Sequence, residues 1–514
     1  MPFTSINFIF FIVGALTLYY IVPLRFRWVS LLLASYVFYM VGGWSTVFYI
    51  IFTTVLTFSA GLLLGALNGK LEGLPNNSAD AVKLKKLKKT VVSLTILICF
   101  GMLYVLRYWN FTLELIGSAR IEEQFGLNLL IPLGVSFFIF QSVGYVIDVY
   151  RGKHSPERNL ARFALFVSFF PQIIQGPISR FHQLSPQLNE SAAFDFTNIK
   201  YGIQLIMWGY FKKLVIADRT AVAVNYIFED ITMHSGAVIA FAVFFYCIQL
   251  YGDFSGGIDI TRGVAKMFGI DLAINFRRPI FAVSLADFWR RWHITLGAWL
   301  KDYLFYSLAL SKPIIRIGKF TRSKIGGTLG KVIPTAICTF IVYFLIGVWH
   351  GANFRWVAFG LWNAAIITSS LLMAGSFTAV KAKLRINDAG RVWWVVSIAR
   401  TAFIVFMGRY ITRSPRLIYT LSMWRSTFTD FRLASLFDGS LLQFGLTSLD
   451  MAIVFIGMLV VLVLEFYQEK GVEIRKSLAK RGFIVQWVAL LLLFIAIFFF
   501  GIWGDAEYFI YMQF

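Results

Sequence analysis

Runs of apolar residues long enough to cross a lipid bilayer recur along the chain, and they restrict the possible folds more than any other feature. A membrane-spanning helix needs about 20 predominantly apolar residues. Hydrophobic residues make up 58% of the 514-residue chain and charged residues only 14%, whereas soluble domains carry about 25% charged residues. The alternative architecture, a β-barrel, needs segments of about ten residues that alternate in polarity, and the sequence lacks them. The sequence therefore predicts an all-α polytopic integral membrane protein.

We expect roughly eleven spans, together with re-entrant or interfacial helices that enter only part of the bilayer. The candidate segments are 6–24, 28–44, 46–66, 91–108, 128–148, 160–178, 202–218, 237–251, 333–349, 355–374, 393–411, 451–466 and 485–503. Between them, the polar stretch 68–90 is predicted to be a basic cytoplasmic loop. A second polar stretch, 425–450, is predicted to lie outside the cell.

Positive charge is concentrated between the apolar segments. The formal net charge is +22, and its clusters are Arg25–Arg27, Lys83–Lys89, Arg151–Lys153, Lys312–Lys331, Lys381–Arg391 and Lys470–Arg481. Lysine and arginine favour the cytoplasmic side of spanning helices, so these clusters predict that the N-terminus and the C-terminus both lie outside. We expect them to contact anionic membrane lipids rather than nucleic acid. The same loops would attract a polyanionic cytoplasmic substrate.

One histidine lies between two long apolar segments. His350 occurs in the sequence Trp349-His350-Gly351-Ala352-Asn353-Phe354, which connects 333–349 to 355–374. An ionisable side chain at membrane depth is costly and marks a candidate functional site. Imidazole, with a usual pKa of about 6.5, is also suited to proton transfer near neutral pH. The alternative is a structural histidine that caps a helix.

The stretch 285–308 carries a second unusual histidine, His293. Its spacing predicts one amphipathic helix, with an apolar stripe formed by Phe288, Trp292, Leu296 and Trp299. Its polar remainder consists of Arg290, Arg291, Lys301 and Asp302. Such a helix is typical of an interfacial or re-entrant position on the cytoplasmic side. His293 is therefore a second candidate for function, and a capping role is the alternative.

The two histidine stretches resemble the paired signatures of a known family. Residues 289–304 (WRRWHITLGAWLKDYL) and 347–354 (GVWHGANF) are similar to those of the membrane-bound O-acyltransferases. The stretches 131–152, 169–188 and 250–263 match the family in the same order. The resemblance is closest to the branch that O-acetylates bacterial polysaccharides, which includes the alginate O-acetylation membrane component. Membrane proteins of lipoteichoic-acid D-alanylation are near relatives of that branch.

The resemblance implies a fold and a set of site residues. Its members resemble one another in fold: a ring of helices surrounds a thin centre, and a funnel on the cytoplasmic side admits an acyl thioester. Its catalytic histidine falls on His350, and its second signature residue falls on His293. Substrate-tunnel candidates in the same signatures are Trp289, Arg290, Trp292, Asp302, Trp349 and Asn353. The chain departs from the family pattern at Gly252 and Gly257, where tyrosine is frequent, and around 408–413, which bears on the choice of branch.

The implied reaction is the transfer of an acetyl group from acetyl-CoA, a substrate rather than a tightly bound cofactor. His350 would act as general base on an acceptor hydroxyl, and His293 would orient the groups or stabilise the oxyanion. The expected partners are an exported or cell-wall polysaccharide and a second, extracellular SGNH-like acyltransferase. No metal is expected, because Cys99, Cys247 and Cys338 lie in apolar runs without metal-ligand spacing.

The chain ends in an aromatic tail that contains Tyr508 and Tyr511. The tail resembles the C-terminal motif of the small single-span partner of D-alanylation, in which a tyrosine is thought to carry the acyl group. Tyr511 is therefore a candidate acyl acceptor. The alternative is an aromatic anchor at the membrane interface.

The chain is accordingly divided into four regions. They are N-terminal helices in 1–130, a catalytic core in 131–412, C-terminal helices and loops in 413–484, and a last span with an extracellular tail in 485–514. The expected location is a bacterial inner or plasma membrane. A different class of function stays open at this point: a transporter or flippase of an acyl carrier or glycan, with the histidines as a proton relay. A third hypothesis is a lipid- or protein-acylating enzyme of the same family.

Overall fold

The computed structural model describes residues 2–117, 125–127, 129–190, 192–503 and 509. Within these residues the chain is almost entirely helical, and its only β-type pairing is an isolated bridge between Phe276 and Trp292. Backbone polar groups that cross lipid must be bonded within their own segment, and an α-helix does this. The predicted all-α architecture is confirmed.

The chain divides into two units. The described residues of the first lie in 2–206 and 257–273, and those of the second lie in 207–256, 274–503 and 509. Helices of the first unit are Ile6–Ile21, Arg27–Val41, Val47–Glu72, Ala79–Arg107, Trp109–Ile116, Val135–Tyr150, Leu160–Ser168, Phe170–Ile173 and Phe181–Asn189. Helices of the second are Asp218–Glu229, Leu285–Arg291, Ile294–Leu300, Tyr306–Ala309, Lys312–Lys324, Gly327–His350, Phe354–Leu372, Ala374–Lys383, Arg391–Arg413, Leu417–Thr429, Ser448–Glu469, Ile474–Ala479 and Phe483–Phe500. Phe196–Tyr210 and Gly236–Met267 have residues in both.

Eight helices of the described chain are long and apolar enough to cross a membrane. The number is nine if Phe354–Leu372 and Ala374–Lys383, which meet at a bend of 61°, form one broken span. Ile6–Ile21 and Val135–Tyr150 are shorter apolar helices. The chain is therefore a multi-pass membrane protein, as predicted.

The predicted span at 160–178 is wrong. Its residues form two short helices, Leu160–Ser168 and Phe170–Ile173, which are separated at Phe169. Pro171 lies in the first turn of the second helix, where its missing N–H is tolerated but would interrupt a continuous helix. The two pieces are too short to cross a bilayer.

The predicted loop at 68–90 is also wrong in most of its length. Val47–Glu72 and Ala79–Arg107 are helices, so only 73–78 is non-helical. The Ser78 hydroxyl oxygen caps the second helix by accepting a hydrogen bond from the Ala81 N–H at 3.1 Å. The lysine-rich stretch that follows consists of good helix formers, and exposed lysines are compatible with a solvated helix. The polarity of 68–90 therefore does not determine whether its backbone is helical.

In the first unit, small residues bring two helices close together. A Cβ atom at Gly61 would lie 2.6 Å from the Tyr145 hydroxyl oxygen. The Asn68 side-chain amide donates to the Val149 carbonyl oxygen at 2.8 Å. Gly61 thus leaves room for the Tyr145 ring, and a small residue at a helix contact is usual in membrane proteins.

In the second unit, Gly327–His350 and Phe354–Leu372 form an antiparallel hairpin, which we call the histidine hairpin. Its two backbones meet where Gly347 faces Gly360, and a Cβ atom at Gly347 would lie 2.3 Å from the Gly360 Cα. Only glycine fits at this distance. The contact fixes the end of the first helix, three residues from His350, against the start of the second.

We predict that Gly347→Ala destabilises the protein by about 1–3 kcal/mol, because the added methyl group forces two packed backbones apart. Thermal unfolding in detergent measures the effect. Gly375→Ala is the matched control, since nothing lies within 4 Å of a Cβ atom at Gly375. Equal unfolding temperatures for the two variants would show that the hairpin does not depend on this contact.

Candidate active site

His350 is the last residue of its helix, and its side chain is 6% exposed. Its Nδ1 lies 2.6 Å from the carbonyl oxygen of Ile346, one turn earlier. A carbonyl oxygen can only accept, so Nδ1 carries the hydrogen of the neutral imidazole. The lone pair is then on Nε2. This tautomer supplies a basic nitrogen whose ring orientation is held by the backbone.

Aromatic side chains surround the His350 ring. Trp356 stacks on it with ring centroids 5.2 Å apart, Phe359 meets it edge-on at 6.0 Å, and Trp349 at 5.1 Å. These rings restrict the imidazole and exclude water from its faces. A low-dielectric setting strengthens every electrostatic interaction that develops there.

His293 interrupts the helix that the sequence predicts over 285–308. Leu285–Arg291 ends before it and Ile294–Leu300 begins after it, while His293 itself has φ 47° and ψ 51° in the left-handed region. Backbone hydrogen bonds join the residues on both sides of this break to the segment 275–277. The Arg277 N–H donates to the Arg291 carbonyl oxygen at 2.8 Å, and the Ile294 N–H donates to that of Asn275 at 3.0 Å.

The apolar stripe of this stretch is nevertheless buried as predicted: Phe288, Trp292, Leu296 and Trp299 are all core residues. The predicted single helix is wrong because periodicity reports which side chains face the core, not whether each backbone bond is helical. A left-handed residue other than glycine costs about 1–2 kcal/mol. Such strain is retained where the surroundings enforce it, and it is frequent at active sites.

Asn275 holds the His293 ring. His293 is 1% exposed, and its Nδ1 lies 3.3 Å from the Asn275 Oδ1. The same oxygen accepts hydrogen bonds from the Thr295 N–H at 3.0 Å and from the Thr295 hydroxyl at 2.9 Å. Because that atom accepts from a backbone N–H, it is the amide oxygen, and Nδ1 of His293 must donate to it. In His293, too, the lone pair is on Nε2.

The two histidines pack against one indole. Ring centroids of His293 and Trp349 lie 5.9 Å apart, and those of Trp349 and His350 lie 5.1 Å apart. Burial lowers the pKa of His293 well below 6.5, and the positive charge that His350 takes on when protonated lowers it further. His293 is therefore neutral at pH 7.

Comparison with known proteins settles which family has this arrangement. The family model of membrane-bound O-acyltransferases matches residues 151–412. A probable alginate O-acetylase, AlgI, of Pseudomonas syringae is 32% identical over 496 residues, which cover 94% of this chain and 86% of the relative. This chain belongs to the membrane-bound O-acyltransferase family. It is therefore an O-acyltransferase, as the signatures predicted.

Two further relatives of this acyltransferase are named for acyl transfer to other polymers. The peptidoglycan O-acetyltransferase of Helicobacter pylori is 32% identical over 290 residues, 51% of each chain. The teichoic acid D-alanyltransferase of Bacillus subtilis is 27% identical over 290 residues, which cover 55% of this chain and 69% of the relative. All three relatives are named for the transfer of an acyl group, and their names refer to alginate, peptidoglycan and teichoic acid.

The other predicted site residues of the acyltransferase occupy different settings. Trp292 and Trp349 lie beside the histidines, whereas the Trp289 indole donates to the Asn363 Oδ1 at 2.9 Å. Arg290 has a side chain that is 73% exposed and paired with Asp287. Asn353 is an exposed cap of the helix Phe354–Leu372, and Asp302 is half-buried in a π-helical turn. Tyr511 lies outside the described residues.

Intramembrane acids that a proton relay would need are engaged in ion pairs. Lys213, with a side chain 1% exposed, lies 2.7 Å from both Asp218 and Asp253. Asp148 pairs with Lys153 at 2.9 Å. A buried ion pair fixes geometry, and breaking it is costly. These acids therefore have a structural role, which weighs against a transporter.

Sequence reasoning missed Asn275, which bonds His293, and Arg409, a 6% exposed residue of a spanning helix. Asn275 carried no usable signal, because its role depends on pairing with residues 18–20 positions away. Arg409 did carry one, since an arginine inside an apolar run is a functional candidate by itself. Arg409 lines a cavity of about 720 Å³ in the second unit, which Trp292 also lines.

The backbone at His293 yields a prediction about stability. His293→Gly and His293→Ala both remove the imidazole, but only glycine adopts positive φ freely. We expect the glycine variant to be more stable than the alanine variant by about 1 kcal/mol. Thermal unfolding in detergent compares them. An alanine variant as stable as the glycine variant would contradict the left-handed conformation.

The pKa of His293 yields a second prediction. In the unfolded chain the imidazole takes up a proton near pH 6.5, but in the folded protein its pKa is far lower. Below pH 6.5 the unfolded state binds more protons, so stability falls as the pH falls. The contribution is at most about 1.4 kcal/mol per pH unit. His293→Asn should therefore show a shallower loss of thermal stability between pH 7.5 and 5.5 than the wild type, and an identical loss would contradict the buried neutral state.

Proposed function

We propose that this O-acyltransferase takes an acetyl group from acetyl-CoA on the cytoplasmic side of a bacterial cell membrane and that the group ends on an exported or cell-wall polysaccharide. The observation that carries the proposal is the His350 side chain, which is buried, ring-enclosed and held with its lone pair on Nε2. Two of the relatives described above are named as O-acetylating enzymes. Acetyl-CoA acts as a substrate, and the proposal includes no tightly bound cofactor.

The reaction follows from that nitrogen. His350 Nε2 removes the proton of an acceptor hydroxyl, and the oxygen attacks the thioester carbonyl carbon. The tetrahedral intermediate collapses as the carbon–sulfur bond breaks, and the CoA thiolate takes the proton back from Nε2. General-base assistance of this kind is worth about 10²–10⁴ in rate.

His293 supports the reaction as an acceptor of hydrogen bonds. Its neutral ring donates through Nδ1 to Asn275, so Nε2 offers a lone pair and no hydrogen. A group in this state orients a hydroxyl rather than stabilising an oxyanion. Of the two roles that the resemblance implies for His293, the geometry favours orientation.

Tyr511 is the acceptor that we propose for the first transfer. Phe509, two positions earlier, is 1% exposed, and the Lys213 Nζ lies 4.6 Å from its ring centroid. An aromatic anchor in the membrane interface would leave such a ring exposed, so the burial of Phe509 argues against an anchoring role for this residue. A phenol is a better leaving group than an alkyl alcohol because its pKa is about 10. The tyrosyl ester would thus retain transfer potential.

A second enzyme completes the proposed route. An extracellular SGNH-like acyltransferase would move the acetyl group from Tyr511 to the polysaccharide. This requires the C-terminus to lie outside, in agreement with the positions of the basic clusters. The N-terminus lies on the same side in this topology.

The test is mass spectrometry of the C-terminal peptide after purified protein meets isotopically labelled acetyl-CoA in detergent. We expect label on Tyr511 in the wild type and in His182→Ala, a control at an exposed histidine. His350→Ala should reduce both label and CoA release by at least about 10²-fold, and Tyr511→Phe should carry no label.

The outcomes separate the steps of the proposal. CoA release without label on Tyr511 would remove the tail from the route and leave direct transfer to another acceptor. Full CoA release by His350→Ala would remove the general-base role. Because detergent micelles hold no gradient, turnover there also distinguishes acyl transfer from gradient-driven transport.

A further inference from the structure

The arginine that lines the cavity of the second unit has unusual surroundings. Arg409 is 6% exposed, and it belongs to the spanning helix Arg391–Arg413. Across the described residues, none accepts a hydrogen bond from its guanidinium, and no carboxylate oxygen lies within 4.0 Å of it. A buried charge without a counter-ion is expensive. Such a group is retained where an anion that is not part of the chain completes it.

Aromatic rings offset part of this cost and connect Arg409 to the histidines. The guanidinium carbon lies 5.5 Å from the ring centroid of Trp292 and 5.5 Å from that of Phe359. Trp292 adjoins His293 in the chain, and Phe359 meets the His350 ring edge-on at 6.0 Å. Cation–π contacts orient the guanidinium but leave its N–H groups available to an acceptor.

The cavity beside Arg409 has the chemistry of an amphiphile site. Its volume is about 720 Å³, within the range of ligand pockets. Most of its lining is aliphatic or aromatic, and its charged residues are Arg409, Lys212 and Glu465. Glu465 accepts a hydrogen bond from the Tyr251 hydroxyl. The Arg409 guanidinium thus lies in a lining that is otherwise mostly apolar, which suits an anionic head joined to an apolar chain.

The mouth of the cavity is formed by exposed apolar side chains of spanning helices. Phe403, Phe455 and Leu459 line it and are 55%, 47% and 58% exposed. Phe403 lies in Arg391–Arg413, and the other two lie in Ser448–Glu469. Apolar residues exposed on a spanning helix face hydrocarbon, so the cavity is accessible from the lipid. A polysaccharide would find few hydrogen-bonding partners in such a lining.

We propose that this cavity binds one anionic membrane phospholipid, with an acyl chain against Phe403 and Phe455 and the headgroup phosphate against Arg409. The phosphate supplies the counter-ion that the guanidinium lacks, and a guanidinium binds phosphate in a two-pronged geometry. The bound lipid fixes Arg409 between Trp292 and Phe359, and it thereby steadies the walls of the histidine pair. Acyl transfer consequently depends on anionic lipid.

Binding is tested by native mass spectrometry of delipidated full-length protein in an uncharged detergent. The probes are phosphatidylglycerol, phosphatidylcholine and palmitate. We expect one phosphatidylglycerol per chain, held at least about tenfold more tightly by the wild type than by Arg409→Gln, since one charge-assisted contact is lost. Arg400→Gln is the matched control on the same helix, because Arg400 is exposed and donates to the Val283 carbonyl oxygen at 2.9 Å.

Two further measurements distinguish a loss of lipid binding from a failure of Arg409→Gln to fold. Arg409→Lys keeps the charge and should retain intermediate affinity for phosphatidylglycerol. Cryo-electron microscopy of the wild type with dibrominated phosphatidylglycerol should place bromine density beside Phe403 and Phe455. Density only on other helices would overturn the proposal without any variant.

Other outcomes are decisive as well. Palmitate that displaces phosphatidylglycerol at equal concentration would assign the cavity to free fatty acids, and equal binding of phosphatidylcholine would remove the charge requirement; either result overturns the proposal. CoA release should rise when phosphatidylglycerol is added to the wild type and to Arg400→Gln, but not to Arg409→Gln. Because lipid binding is read directly, it can be confirmed even if the acetyl-CoA reaction proposed above is wrong.

Discussion

Burial decides how the two histidine side chains of this helical protein are arranged, since His293 is 1% exposed and His350 is 6% exposed. A buried polar atom without a partner costs about 1–3 kcal/mol, so the contacts that satisfy the two buried imidazoles also fix their orientation. The Ile346 carbonyl oxygen orients His350, and the Asn275 amide oxygen orients His293. Both contacts select the same tautomer, with the lone pair on Nε2. The tautomer of each imidazole, on which the proposed chemistry depends, thus follows from one buried hydrogen bond.

Much of the fold was predictable because spanning helices depend on local composition. The apolar runs identified the helices Gly327–His350 and Phe483–Phe500, and the signatures identified both histidines. The errors have physical reasons. The polarity of 68–90 predicts a loop, but most of the stretch is helical because lysine is a good helix former. The break at His293 depends on pairing with 275–277, which no local pattern contains. The contact of Asn275 with His293 was unpredictable for the same reason.

The histidine pair and the unpaired arginine belong to one aromatic cluster. Trp349 contacts both imidazoles, while Trp292 and Phe359 contact the Arg409 guanidinium. Rings of this kind transmit small displacements because packed cores have little free volume. An occupied anion site at Arg409 and an ordered histidine pair would therefore stabilise each other. The enzyme's dependence on its membrane would then arise from residues that contact the proposed catalytic histidines.

The most direct test of the account is the structure of the protein with a non-hydrolysable acetyl-CoA analogue, determined by cryo-electron microscopy in lipid nanodiscs. The account predicts that the acyl carbonyl carbon lies next to His350, with room for one hydroxyl between that carbon and Nε2, at the separations of about 3–3.5 Å that precede reaction. An analogue whose acyl group lies away from both His350 and His293 would contradict the central claim that this histidine pair performs the transfer.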